Sequence, residues 1–342
     1  MMRSTTLTLL LVIIALVGNA QKKKVITFKS ADKGVVSLSQ MADKSYAITL
    51  QNPDDVSVYR ISQTVKTNEY LFITEGSVEQ KGYPHTLLQY KSNGEFIRKI
   101  DAHREGIVDI AVDEPNQHLF VLRKNELKCF DYNGGLLYSF KTEYLPQCYC
   151  CFNKKLWYIL VGYNNDQVSY SLCCSDLKGK EFKEIKTLKE KALSGTSVSK
   201  IGKFSCADNI LYVSMGLRNS DKLFAIRDGK MNVINEFKIS DFPKDRLNQF
   251  IAPPSIRIGN YLFWGYNKQM LPSTLVSNIT TNKYENIKYR NQAGKLISGL
   301  KDDIFNTGFI QPNFTSDFKS LYFYPKTTDD VQSLQIYVVD VK

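Results

Sequence analysis

The stretch Leu87–Ile100, LLQYKSNGEFIRKI, decides the fold of the chain. An apolar run at Leu87–Tyr90 and a second β-prone run at Phe96–Ile100 flank the dipeptide Asn93-Gly94. Asn-Gly between two β-prone runs is a strong hairpin signal, because both turn positions need a positive φ. The stretch therefore predicts two antiparallel strands that are joined by a tight turn.

Similar turns recur along the chain, at Asn133-Gly134, Lys178-Gly179, Asp228-Gly229 and Thr281-Asn282. Successive turns are about 40 to 53 residues apart, and each lies between the third and fourth of four β-prone runs. Four short strands with a period of 40 to 50 residues are typical of a β-propeller blade. The pattern predicts six such units, A to D in strand order, of which the last has only three strands.

A lone strand is predicted ahead of the first unit, at Asp43–Leu50. It can supply the missing strand of the sixth unit by pairing with Ser333–Val339, which would join the two ends of the chain. The prediction is therefore an all-β, six-bladed β-propeller with four-stranded antiparallel blades, its ring closed by the N-terminal strand completing the last blade. The alternative is a pair of β-sandwiches behind a disordered N-terminal segment.

The first 20 residues have the pattern of a secretory signal peptide. Arg3 gives a basic start, Leu7–Val17 is apolar but short for a membrane span, and Gly18-Asn19-Ala20 places small residues before Gln21. We expect a signal peptide at 1–20, a loose polar lead-in at 21–42 and the propeller domain at 43–342. The alternative is an uncleaved anchor.

The same pattern predicts an exported protein, periplasmic or extracellular. The first cysteine is Cys129, so a lipid-anchored cysteine at the mature N-terminus is not expected, and no later stretch is apolar enough for a transmembrane segment. The formal net charge is +11, but the basic residues are scattered and the densest run is Lys22–Lys24. This favours a solvated tail and argues against nucleic acid as a partner.

The chain has seven cysteines, an odd number. Three interpretations remain open: free thiols that act as small buried hydrophobic groups, one or two disulfides, or a metal site. The first is favoured, and no metal or cofactor is expected.

The first two units resemble a known family. Leu87–Ile100 and Phe130–Gly134 are similar to its C–D hairpin, and Ile110–Asp113 and Leu119–Leu122 are similar to its A and B strands. The chain thereby resembles the six-bladed β-propellers of the NHL/TolB-like kind from the cell envelope of Bacteroidota-type bacteria. The resemblance implies the fold and an envelope location, and no particular activity.

The connections between predicted strands are unequal. B–C and D–A connections, which emerge on one face of a propeller, are mostly long, including 74–85, 162–167, 215–221, 186–199, 238–254 and 288–303, whereas A–B and C–D connections are short. Long loops on a rigid scaffold mark a functional face. Aromatic and cationic loop residues, together with one carboxylate in strand A of the second unit, are the predicted binding residues: Tyr83, His103, Arg104, Asp109, Tyr163, Arg218, Arg246 and Tyr266. For Asp109, a structural hydrogen-bonded role is the equal alternative.

No catalytic motif for a metalloprotease, serine hydrolase, P-loop protein or dinucleotide enzyme occurs in the sequence. The favoured prediction is a monomeric, non-catalytic binding propeller for an unknown protein, peptide or glycan. The first alternative is a lyase or hydrolase that uses His103, Arg104 or Asp109 at the mouth of the central channel. The second is a structural assembly subunit, which would carry a large apolar outer patch.

Overall fold

The computed structural model describes residues 24–28, 41–56, 58, 61–75, 85–103, 105–142, 146–164, 167–191, 203–207, 209–217, 220–227, 230–239, 256–266, 273–278, 284–287, 313–314, 320–323 and 333–342. Over these residues the extended structure consists of β-strands, with one 3₁₀ turn at Glu114–Asn116. The all-β prediction is confirmed.

Two strands precede the repeated sheets, β1 (Lys24–Phe28) and β2 (Ala42–Gln51). Sheet 1 contains β3 (Ile61–Lys66), β4 (Tyr70–Glu75), β5 (Thr86–Lys91) and β6 (Phe96–Ala102). Sheet 2 contains β7 (Ile107–Asp113), β8 (His118–Arg123), β9 (Glu126–Asp131) and β10 (Leu136–Lys141). Sheet 3 contains β11 (Pro146–Phe152), β12 (Lys155–Asn164), β13 (Gln167–Asp176) and β14 (Lys183–Lys191).

Sheet 4 contains β15 (Lys203–Ala207), β16 (Ile210–Leu217), β17 (Ser220–Arg227) and β18 (Lys230–Ile239), with β1 added outside β18. Sheet 5 contains β19 (Ile256–Ile258), β20 (Tyr261–Tyr266), β21 (Ser273–Asn278) and β22 (Tyr284–Ile287). Sheet 6 contains β23 (Asn313–Phe314), β24 (Ser320–Phe323) and β25 (Ser333–Val341), with β2 as its fourth strand beside β25.

Strand β8 shows why such sheets stack. The four residues 119–122 are all fully buried. Leu119 packs in a cluster with Phe72 of sheet 1, whereas Phe120 packs in a cluster with Tyr158 of sheet 3. Successive strand residues point to opposite faces of a sheet. A middle strand with four consecutive apolar residues, such as 119–122, must therefore lie between two neighbouring sheets. The core therefore lies between the sheets.

The first strands of consecutive sheets contact one another. Such contacts join β3 to β7, β7 to β11, β11 to β15 and β15 to β19, and β23 of the last sheet also contacts β3 of the first. Sheets 5 and 6 meet where the backbone N–H of Asn260 donates to the carbonyl of Lys342 at 2.8 Å. The six sheets thus follow one another in chain order.

The C–D turn glycines show a repeated contact between neighbouring sheets. A Cβ at Gly134 of sheet 2 would meet Arg98 on β6, and one at Gly179 of sheet 3 would overlap Phe140 on β10. In sheet 1, a Cβ at Gly94 would overlap the backbone of Thr49 on β2. Strand β2 therefore contacts the C–D turn of sheet 1 in the same way that β6 contacts the C–D turn of sheet 2.

Several bounds differ from the sequence-based expectations. The lead-in predicted to be loose contains a strand, β1, and the first strand of sheet 1 begins at Ile61 rather than Val56. The A strand predicted at 304–310 lies outside the described residues, and the first described strand of sheet 6 is β23. Residues 24–28 form a strand by pairing with residues that are distant in the sequence. Local sequence patterns do not reveal such a pairing.

All seven cysteines lie in the described residues, and none of them is in a disulfide bond. Cys129, Cys150, Cys173 and Cys174 are buried in apolar clusters, and the other three are partly buried. This agrees with the interpretation of the thiols as small core groups. Burial raises the pKa of Cys129 to about 11 and the pKa of Cys173 to about 12, because a thiolate is poorly solvated there.

We expect the buried thiols to resist alkylation in the folded chain. Iodoacetamide at pH 8 should leave Cys129, Cys150 and Cys173 unmodified, whereas all seven cysteines should react in guanidinium, as mass spectrometry of peptides can show. The raised pKa values also stabilise the folded chain fully below the ordinary thiol value of 9.0, and this contribution is lost as the pH rises to about 11. Equal labelling of Cys150 in folded and unfolded chains would contradict its burial.

Candidate functional site

One end of the sheets carries the B–C and D–A connections, and we call it the connection face. Between the described B and C strands lie positions 76–85, 124–125, 165–166, 218–219, 267–272 and 324–332, and between the described D and A strands lie positions 103–106, 142–145, 192–202, 240–255 and 288–312. The opposite face carries A–B and C–D turns such as 67–69, 92–95, 132–135 and 153–154. The longest connections thus belong to the connection face.

Two B–C connections are shorter than the sequence analysis predicts. Strand β12 continues to Asn164 and β13 begins at Gln167, so the expected loop 162–167 is reduced to 165–166. The expected loop 215–221 is likewise reduced to 218–219, because β16 and β17 pair as far as Leu217 and Ser220. By number of residues, the longest segments between described strands are therefore those that follow β14, β18 and β22.

Arg123 organises the described part of the connection face. It ends β8, and only 1% of its side chain is exposed. Its Nε donates to Oδ2 of Asp101 at 2.9 Å, its Nη2 donates to the carbonyl of His85 at 2.9 Å, and its Nη1 donates to the carbonyl of Glu105. A planar guanidinium suits this use because its donors are held in a fixed fork. Arg123 thereby joins sheets 1 and 2 through three segments of chain.

Two histidines, His85 and His103, are joined to each other beside this network. The backbone N–H of His103 donates to the carbonyl of His85 at 3.3 Å, and His85 Nδ1 lies 3.1 Å from the carbonyl of His103. A carbonyl only accepts, so Nδ1 of His85 carries the proton and its Nε2 is an acceptor. Nδ1 of His103 accepts the backbone N–H of Glu105 at 3.1 Å, so in the neutral ring its Nε2 is a donor. In their neutral forms, His85 therefore has an acceptor at Nε2 and His103 has a donor at Nε2.

Asp109, on β7, links two neighbouring first strands. Its Oδ1 accepts the N–H of Ile110 at 3.0 Å, and its Oδ2 accepts the N–H of Tyr149 on β11 at 3.1 Å. The hydroxyl of Tyr149 donates to the carbonyls of Asp109 and Phe120. Burial first, and then the nearby Asp109 carboxylate, raise the pKa of Tyr149 well above its ordinary value. These bonds match the structural role that the sequence left open for Asp109.

The remaining predicted binding residues are described less fully. The backbones of Tyr163 and Tyr266 lie near the ends of the second strands β12 and β20, which is the side of the connection face. Tyr83, Arg104, Arg218 and Arg246 lie outside the described residues.

Sequence reasoning missed Arg123, Asp101 and Glu105, and it treated His85 as an ordinary turn residue. The one available signal was an arginine that ends a strand of four apolar residues, LFVLR. A long cationic side chain there must find partners or reach solvent.

Within the described ranges, no helix is long and apolar enough to cross a membrane. In the same ranges, no three His, Cys, Asp or Glu side chains lie together as a metal site would need.

Comparisons with known proteins agree on the fold. A protein of Bacteroides fragilis that is described as exported superposes with a TM-score of 0.66 at 12% identity, over 93% of this chain and 100% of that one. A gluconolactonase of Xanthomonas campestris gives a TM-score of 0.49 at 11% identity, over 91% of this chain and 96% of that one. No curated protein matches the chain in sequence.

A family model described as a 6-bladed beta-propeller, DUF5128, matches residues 17–249. This match spans more than half of the chain and includes sheets 1 to 4 with the Arg123 network. The chain therefore belongs to this family of six-bladed β-propellers.

Proposed function

We propose that the chain is an exported, non-catalytic binding propeller that presents its connection face to a protein, a peptide or a glycan. The observation that carries the proposal is the concentration of the longest connections on this one face. Loops that vary on a rigid scaffold are the usual location of binding residues. Tyr83, Arg104, Arg218 and Arg246 lie within or beside these connections in the sequence, and arginine and tyrosine are frequent at the centres of binding sites.

The Arg123 network supports binding because it fixes part of the face in advance. The buried guanidinium holds the carbonyls of His85 and Glu105, so the backbone at these two residues is already ordered. A site that is ordered before binding loses less conformational entropy when the ligand arrives. Exposed His103 and half-buried His85 would then contribute a donor and an acceptor to a hydroxyl-bearing ligand such as a glycan.

A lyase or hydrolase remains the alternative, and Asp109 weighs against it. Both of its carboxylate oxygens already accept backbone N–H groups. A catalytic carboxylate must be free to take or give a proton in the reaction. If Asp109 took up a proton during catalysis, the link that it makes between β7 and β11 would weaken in each catalytic cycle.

We also infer that the six sheets close into a ring of the NHL/TolB-like kind through β2. Strand β2 pairs antiparallel with β25 along its length, from Ala42 opposite Val341 to Gln51 opposite Ser333. Its N–H at Gln51 donates to the carbonyl of Gly94 in sheet 1 at 2.9 Å. One strand that touches both the last and the first sheet supports closure, since it holds the two ends of the ring together.

Export is proposed from the signal-peptide pattern at 1–20. We expect the mature chain to begin at Gln21 and to carry no lipid. N-terminal sequencing and the intact mass of the chain from an envelope fraction test this. A chain that retains Met1, or that carries a lipid mass, would contradict the proposed processing.

The binding proposal is tested with a fluorescent preparation of the chain on printed arrays of neutral glycans, acidic glycans and peptides. The test variant carries Arg104→Ala, Arg218→Ala and Arg246→Ala. The matched control carries Lys178→Ala, Lys180→Ala and Lys230→Ala, which remove the same charge from exposed positions at or beside C–D turns on the opposite face. We expect at least tenfold weaker binding to the best array ligand for the test variant and little change for the control.

Equal losses in both variants would mean that only general positive charge attracts the ligand, which contradicts a specific face. Consumption of an array ligand by the unmodified chain would favour the enzyme instead.

A further inference from the structure

Strand β1 occupies an unexpected place in the fold. It pairs in parallel with β18, with Lys24 opposite Asn235 and Phe28 opposite Ile239. Strand β18 is the fourth strand of sheet 4, so β1 is a fifth strand at the outer edge of that sheet. All other neighbouring strands within the described sheets pair antiparallel.

No short turn imposes this pairing. The next described strand after β1 is β2, which belongs to sheet 6. Sheet 5 lies between the two, because β15 of sheet 4 contacts β19 and Asn260 of sheet 5 bonds to Lys342 of sheet 6. The pairing of β1 is therefore determined by the edge of β18 and not by the connection that follows β1.

The edge of β18 is among the longest outer edges of the described sheets. The outer strands β22, β10, β6 and β14 have 4, 6, 7 and 9 residues, whereas β18 and β2 have 10 each. A long edge strand leaves a row of backbone N–H and C=O groups open to pairing with another chain. Strand β1 covers the half of β18 from Asn235 to Ile239.

We propose that the outer edge of β18 is a strand-acceptor site whose ligand is the segment Lys24–Phe28, and that its partner between molecules is β1 of a second copy of this chain. In a single chain β1 fills the site in cis. The same sequence in a second copy makes the same backbone bonds, so the two copies can exchange β1 and form a strand-swapped dimer. At micromolar concentration the cis pairing prevails, because a short tether gives an effective concentration near millimolar.

The length of the segment between β1 and β2, residues 29–41, determines whether β1 can pair with β18 of its own chain or only with β18 of a second copy. Neighbouring packed sheets lie about 10 Å apart, so β1 in sheet 4 and β2 in sheet 6 are separated by about 20 Å or more. Residues 29–41 can span up to about 46 Å when extended, which allows cis pairing. Removing residues 29–38 leaves three residues with a reach of about 11 Å, which prevents it.

The first experiment therefore measures the molar mass of the chain without 29–38 by light scattering at about 10 µM. We expect a dimer for this variant and a monomer for the unmodified chain. The matched control adds Val25→Pro and Ile26→Pro to the deletion. Adjacent N–H groups of a strand point to opposite sides, so one of the two prolines removes a bond to β18. This control should be monomeric. A monomeric deletion variant, or a dimer that survives the prolines, would overturn the proposal.

A second measurement covers the case in which the deletion variant does not fold. A fluorescent peptide, KKKVITFK, is titrated into the otherwise unmodified chain that carries Val25→Pro and Ile26→Pro, whose own β1 cannot fill the edge. We expect binding at least tenfold tighter than to the unmodified chain, and at least tenfold tighter than that of a scrambled peptide. Equal affinity for both chains would overturn the acceptor site.

Discussion

Replacing Gly94 with alanine is expected to lower the free energy of unfolding by about 3 kcal/mol. Gly94 has a φ of +97°, a conformation that strains any residue with a Cβ atom. The added Cβ would also overlap the backbone carbonyl of Thr49 on β2. That carbonyl cannot rotate away like a flexible side chain, because β2 is held by its pairing with β25. The substitution should therefore push apart the strand that joins the last sheet to the first.

Gly134→Ala is the matched control for this prediction. Gly134 occupies the equivalent turn of sheet 2 with a φ of +82°, but its added Cβ would meet the Arg98 side chain at 3.3 Å. Gly134→Ala should lower the free energy of unfolding by only about 1 kcal/mol, which is the strain of placing a Cβ atom at a positive φ. Urea unfolding of the two variants compares the losses. Equal losses would contradict the packing of β2 against sheet 1, and with it the inferred ring closure.

Arg123→Met is expected to cost about 3 kcal/mol of stability and to loosen the connection 103–106. The change keeps an apolar stem but removes donors that serve the Asp101 carboxylate and the carbonyls of His85 and Glu105. The Asp101 side chain is only 12% exposed, so its charge would lose its partner with little water to replace it.

The exposed ion pair between Lys91 and Glu95 provides the control. Their side chains are 53% and 48% exposed, and Lys91→Ala should change stability by less than about 1 kcal/mol. Hydrogen exchange adds a local measurement. Compared with the unmodified chain, the amides in 103–106 should exchange faster in Arg123→Met and at the same rate in Lys91→Ala. A cost below 1 kcal/mol with unaltered exchange would contradict the organising role of Arg123.

Much of the fold could be predicted because its signals are local. Gly94, Gly134 and Gly179 have a positive φ in the structure, as predicted, but the residue before each of them does not, so the prediction of a positive φ at both turn positions is wrong. Strand β1 could not be predicted, since its parallel pairing with β18 joins residues that are more than 200 positions apart. The extension of β12 and β13 into an expected loop also depends on pairing that the sequence alone does not show.

The candidate site was less predictable than the fold. Loop lengths and residue types pointed to one face, but the Arg123 network draws on three separate segments, around His85, Asp101 and Glu105. Each of these residues is ordinary in its local sequence. Asp109 shows the same limit, because its partner Tyr149 lies 40 residues away on the next sheet.

Hydrogen exchange of the chain with and without its best array ligand tests the central claim most directly. The account predicts that protection on binding is confined to the connection face, in segments such as 76–85, 103–106, 192–202, 240–255 and 288–312. Protection that falls instead on the turns 67–69, 92–95 and 132–135 would contradict it, because the ligand would then bind the opposite face.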